Sequence, residues 1–134
     1  MIALDGSALL AILLSEADRV AYMTALASYD CIIGAPTFFE AQIAAASRAG
    51  PQAPIALRQL LSESSVEVVD FTQDHVRTAY DAFDRFGRGR HPAKLNFGDC
   101  MAYAVAKLAN APLLYKGCDF ALTDIAAAIP QGRT

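Results

Sequence analysis

Three acidic residues, Asp5, Glu40 and Asp119, each follow closely on an apolar segment of the chain, and a fourth, Asp99, stands in what reads as the first turn of a helix. Carboxylates gathered at one place repel each other, and burying them uncompensated costs several kcal/mol. A cation relieves that repulsion. All-oxygen ligands favour a hard divalent ion such as Mg²⁺ or Mn²⁺ over Zn²⁺. Such an ion activates water for in-line attack on phosphorus and neutralises the leaving oxygen. No Cys or His stands where a nucleophile is needed, so direct attack by water is the simplest chemistry on offer. Each acid also has a plainer reading. Asp5, in Asp5-Gly6-Ser7, suits a turn or a helix cap; Thr37, three residues before Glu40, makes a capping-box pattern; Asp99 suits the first turn of a helix, where amides and dipole favour negative charge.

The elements that would position these acids alternate along the chain. Residues 1–4 read as a strand, 8–14 as an apolar helix and 16–29 as a second, more exposed one. A strand at 30–35 leads into a helix to Arg48, stopped by Gly50-Pro51, and a short helix follows at 54–62. Residues 66–70 form the third strand, and Thr72 caps the next helix. His75 has no partner at metal-ligand spacing and reads as a solvated or capping residue. The helix beginning near Asp99 runs to Asn110 and packs through Phe97, Met101, Ala104, Val105 and Leu108. Residues 112–115 form a fourth strand, 125–129 a short last edge strand, and 130–134 a frayed tail. Strands alternating with helices make an α/β domain with a parallel sheet, and ligands of such sheets bind at the carboxyl ends of the strands. The acids fall at those ends.

Composition bounds the rest. A chain of 134 residues that is 54% hydrophobic fills one core, so residues 1–134 are expected to form a single domain. No apolar run reaches the roughly 18 residues of a membrane span, and no secretory signal is evident. The expectation is a soluble, cytoplasmic protein without membrane contact. Cys31, Cys100 and Cys118 lie in apolar surroundings and are expected to be reduced and mostly buried. The net charge of −3 argues against nonspecific coating of nucleic acid. Yet the run from Arg85 to Lys94 contains Arg88, Arg90 and Lys94 with no acid between Asp84 and Asp99. Such a run is a solvated loop or a phosphate contact beside the acids.

These residues resemble a known family over nearly the whole chain. The opening Met1-Ile2-Ala3-Leu4-Asp5-Gly6-Ser7-Ala8-Leu9, the helix start Pro36-Thr37-Phe38-Phe39-Glu40, and Phe86-Gly87-Arg88-Gly89-Arg90-His91-Pro92-Ala93-Lys94-Leu95-Asn96-Phe97-Gly98-Asp99 are similar to PIN-domain ribonucleases. So are Pro112-Leu113-Leu114-Tyr115-Lys116-Gly117 and Phe120-Ala121-Leu122-Thr123-Asp124. More narrowly, they resemble VapC-type toxins of bacterial toxin-antitoxin pairs. The resemblance implies a three-layer α/β/α sandwich on a parallel, roughly five-stranded sheet. It also implies an Mg²⁺- or Mn²⁺-dependent endoribonuclease, with Asp5, Glu40 and Asp99 as metal ligands. Asp119 would be the fourth acid, with Asp124 competing for that place; Ser7, Thr123 and Asp124 would be supporting residues, and Arg88, Arg90 and Lys94 would contact RNA. Gly6 stands where the family usually has Thr. The implied partners are an RNA, such as a tRNA or ribosomal RNA loop, a second copy of the chain, and a VapB-like antitoxin. Residues 8–14, continuing to Leu26, are a candidate surface for protein partners. An aspartyl-nucleophile phosphohydrolase would want an acid at Ser7. The rival reading is a non-catalytic α/β domain that binds a partner or RNA, with the acids acting only as caps.

Overall fold

The computed structural model of the chain describes residues 1–130; the last four residues of the expected frayed tail lie outside them. Four parallel strands, β1 (Ile2–Leu4), β2 (Cys31–Gly34), β3 (Glu67–Val69) and β4 (Leu113–Leu114), form one sheet in the order β3-β2-β1-β4. Side chains alternate across a strand, and in β1, β2 and β4 both faces are covered, whereas β3 at the sheet edge is largely exposed. Ile2, Leu4, Cys31, Ile33 and Leu114 enter one core; Ala3, Ile32, Leu113 and Tyr115 enter the other. That two-sided burial is why the strands read as continuous apolar runs.

The first core is closed by α1 (Gly6–Leu13), α2 (Arg19–Ser28), α3 (Ala35–Ala49) and α4 (Ala53–Glu63), the second by α5 (Gln73–Phe86) and α6 (Phe97–Leu108). The result is the expected three-layer sandwich. The sheet has four strands rather than five: the segment expected as a last edge strand contributes a single bridge, Ala127 to Leu113. Ala126 O accepts from Leu113 N at 2.8 Å and Ala128 N donates to Leu113 O at 2.9 Å. With β4 only two residues long, there is no ladder for a longer strand to follow.

Three local expectations change. First, α3 starts directly after β2, with Gly34 as its N-cap and Pro36 in its first turn. The fixed φ of proline suits that position, so Thr37 lies inside the helix, buried, and its hydroxyl finds no partner among the described residues. The expected Thr37–Glu40 capping box is absent, and Glu40 sits in the second turn. Second, Phe97 and Leu108 of α6 are exposed, at 80% and 47%. Ala104 and Val105 pack as expected, and the packed side takes in Cys100, Ala102, Tyr103 and Ala106 as well, because this helix is sandwiched between the sheet and α5. Gly34 makes the close approach possible, since a β-carbon there would lie 2.7 Å from Val105 Cγ2. Third, α1 is largely core, with Ala8, Leu9, Ala11 and Ile12 buried and Leu13 packed on the same cluster, while Leu10 and Leu14 stay half-buried and Val20 of α2 is exposed.

Cys31 and Cys100 are buried thiols, whereas Cys118 is exposed. His75 is a capping residue, its Nδ1 accepting from Thr72 N at 3.0 Å. Among the described residues, no helix is long and apolar enough to cross a membrane. Leu9 is fully buried at the α1–sheet contact, so Leu9→Ala should cost about 3 kcal/mol of unfolding free energy in a urea titration. A loss below about 1 kcal/mol would contradict the packing described.

Candidate active site

Asp5 follows β1 directly and is fixed twice. Its backbone N–H donates to Leu114 O at 2.9 Å, and its carboxylate caps α1, accepting from Ser7 N at 3.0 Å and Ser7 Oγ at 2.5 Å. The same Ser7 oxygen accepts from Lys116 N at 2.9 Å. Lys116 in turn reaches Glu16 at 2.9 Å and Asp18 at 3.3 Å. One serine thus ties the end of β1, the start of α1 and the exit of β4 together. Asp5 is 8% exposed. Burial raises its pKa, an effect the Ser7 bonds oppose and the Glu40 charge reinforces.

Asp99 is held by a reciprocal cap at the start of α6. Asn96 N donates to Asp99 Oδ2 at 3.0 Å, and Asp99 N donates to Asn96 Oδ1 at 2.8 Å. Burial, reinforced by the charges of Asp5 and Asp119, pushes Asp99 up to about 6, against the opposing pull of the Asn96 amide and Arg88. Glu40 reaches across from α3 and is also raised, first by burial and then by Asp99. Its carboxylate lies against Gly98. Asp99 therefore shares its field with three acids from three other parts of the chain.

Asp119 and Asp124, which the sequence leaves in competition, are separated by their surroundings. Asp119 is exposed ahead of a single 3₁₀ turn (Phe120–Leu122), makes no capping bond, and adds its charge to Asp99. Asp124 is committed elsewhere: Tyr103 donates to it at 2.6 Å, Lys107 at 3.0 Å, and Arg85 lies 3.6 Å away. Partial burial raises its pKa, but the Tyr103 and Lys107 bonds prevail and hold it below the usual range. Thr123 builds the turn beside it, donating to Phe120 O at 2.7 Å and accepting from Ile125 N at 3.2 Å. Neither residue shows the link to the acids that Ser7 has.

The donor chemistry suits a hard divalent ion. Asp5, Glu40, Asp99 and Asp119 make no ion pair with a basic side chain among the described residues. They are neighbours in one field rather than a closed cage, for no three acids among the described residues converge as a ready metal-binding group. The basic run is only partly available to a ligand. Arg90 pairs with Asp84 at 3.1 Å and stacks on Phe83, and Arg85 is held by Asp81 and Asp124. Arg88 and Lys94 make no ion pair among the described residues, and Arg88 acts on Asp99. The loop that carries them is pinned by the Gly87–Leu95 bridge.

Sequence reading missed three features. Asn96 as partner of Asp99 had a signal, an Asn three residues before an Asp at a helix start. Gly98 and the Tyr103–Asp124 bond had none, because each depends on a residue remote in the chain. Beside Glu40 a groove of about 890 Å³ opens between α3, α5 and α6, lined by Phe39, Ile43, Tyr80, Phe97 and Met101 among others. Phe39, Ile43, Tyr80 and Phe97 are exposed on it.

Residues 2–126 match the model of the PIN domain family. Ribonuclease VapC36 of Mycobacterium tuberculosis is 40% identical over 123 residues, covering 90% of this chain and 88% of that protein. The crystal structure of M. tuberculosis VapC20, a sarcin-ricin loop cleaving toxin, superposes with a TM-score of 0.79 at 19% identity, covering 97% of this chain and 100% of that one. A toxin-antitoxin complex from Klebsiella pneumoniae gives a TM-score of 0.66 at 21% identity over 90% of this chain and 91% of its own.

A raised carboxylate pKa means that the folded state holds its proton more tightly than the unfolded chain. Its contribution to stability is therefore greatest below the unfolded value and is lost as pH rises toward the folded one. With chelator present, unfolding free energy should fall as pH rises from about 4 to about 6, the value for Asp99. Asp99→Asn should flatten that fall and be the more stable protein at about pH 8, above both values. An unchanged slope in urea titrations across this window would contradict the assignment.

Proposed function

The chain belongs to the PIN-domain family and, within it, to the VapC ribonucleases, and from that membership we propose that it is the endoribonuclease toxin of a VapBC-type pair. The observation that carries the reading is the set of four acids from separate parts of the fold, sharing one field without an ion pair to a basic side chain among the described residues. Asp5, Glu40, Asp99 and Asp119 would hold Mg²⁺ or Mn²⁺, which supplies an activated water and neutralises charge on the leaving oxygen when bound.

The chain's own residues do the positioning. Ser7 fixes one oxygen of Asp5, and Asn96 fixes one oxygen of Asp99, so each carboxylate keeps its other oxygen for a ligand. Arg88, which acts on Asp99, and Lys94 make no ion pair among the described residues and would offer cations for the RNA phosphates. Arg90 supports the loop through Asp84 and Phe83 rather than reaching the substrate. Structured RNA, a tRNA or ribosomal RNA loop, is the substrate class we favour, in line with the sarcin-ricin loop cut by VapC20. A VapB-like antitoxin and a second copy of the chain are the protein partners, and the apolar groove beside Glu40 is an exposed surface that one of them would bury.

The test is cleavage of total bacterial RNA by purified, antitoxin-free protein with Mg²⁺ or Mn²⁺. Discrete fragments are expected; chelator should remove them, and Asp99→Asn should slow their appearance by roughly a hundredfold or more. Arg88→Ala should weaken RNA binding and lessen its salt dependence, while Arg90→Ala should act mainly on stability. Folded protein that cuts nothing under either metal would favour the non-catalytic domain, with the acids as caps.

A further inference from the structure

We propose that Gly98 is a positioning residue whose bare Cα seats the Glu40 carboxylate beside Asp99; the proposal rests on the reading of Glu40 as one of the site acids. A β-carbon at position 98 would lie 2.6 Å from Glu40 Oε1 and 2.7 Å from its Cδ, and closer still to Oε2. Ordinary contacts between such atoms lie near roughly 3.5–4.0 Å. No hydrogen bond or ion pair among the described residues anchors Glu40, unlike Asp5 with Ser7 and Asp99 with Asn96. Its carboxylate is placed by the space that Gly98 leaves.

What gives way on substitution follows from the two sides of the contact. Gly98 sits in the first turn of a helix capped by Asn96, whereas the Glu40 carboxylate is the end of a flexible side chain. An added methyl group therefore displaces Glu40 and leaves α6 in place. Alanine is also the better helix former, so Gly98→Ala should hold or raise the melting temperature. The same change moves a site carboxylate by about an ångström or more, which can cost on the order of a hundredfold in rate. A loss of activity without a loss of stability is the signature of positioning.

The test is a double-mutant cycle on the full chain: wild type, Gly98→Ala, Glu40→Ala and the double variant, compared in RNA cleavage rate, Mn²⁺ affinity by calorimetry and melting temperature. Crystal structures of wild type and Gly98→Ala complete it. We expect Gly98→Ala to lower cleavage by roughly tenfold to a hundredfold, to weaken Mn²⁺ binding, and to show Glu40 moved off α6. In the Glu40→Ala background, Gly98→Ala should have no further effect, because the group it displaces is gone. Full activity and affinity in Gly98→Ala, an undiminished effect in the Glu40→Ala background, or an unmoved Glu40 would each overturn the proposal. A wild type that cuts no RNA would instead sink the ribonuclease reading, and the crystal structures would still decide where Glu40 lies with and without the methyl group.

Discussion

The burial of carboxylates beside one another is the constraint that organises this site. Asp5, Glu40, Asp99 and Asp119 come from four separate parts of the chain, and the raised values of the first three reflect burial first and the neighbouring carboxylates second. The protein tolerates this because the two most tightly held acids also serve the backbone. Asp5 caps α1 and Asp99 completes the Asn96 cap of α6, so each satisfies helix amides that would otherwise lack partners. The capping reading and the metal-ligand reading are thus compatible at the same residues. One oxygen of each is spent on the helix.

The surroundings separate structural charge from chemical charge. Lys116 binds Glu16 and Asp18, Lys107 and Arg85 bind Asp124, and Arg90 binds Asp84. In each of these pairs a cation meets an acid outside the group of four. These partly exposed pairs contribute little to stability individually. Their effect is to leave the four acids facing no competing lysine or arginine at bonding distance among the described residues. A site that has to receive a cation gains from that arrangement.

The fold was legible because its signals are local. Apolar runs at residues 2–4, 31–34 and 113–114 are strands buried on both faces, and the acids that follow them fall at one edge of a parallel sheet. The errors came where a local pattern met a tertiary demand. Thr37 and Glu40 have capping-box spacing, yet Pro36 and the short β2–α3 junction start the helix earlier. Phe97 and Leu108 fit a helical stripe, yet the packed side of α6 is set by the sheet and by α5. The basic run looked uniform, but Asp84 takes Arg90 and leaves Arg88 and Lys94. The commitment of Asp124 to Tyr103 and Lys107 was not legible, because no spacing rule connects them.

If these acids await a hard divalent cation, melting temperature followed against Mn²⁺ concentration will report it, since a ligand that binds only the folded state stabilises it by mass action. Wild type should melt progressively higher as Mn²⁺ is added at about pH 8, where the carboxylates are ionised. Asp99→Asn, already relieved of repulsion, should start higher and respond little. A melting temperature indifferent to Mn²⁺, or an equal rise in wild type and Asp99→Asn, would show that the four acids are not a cation site.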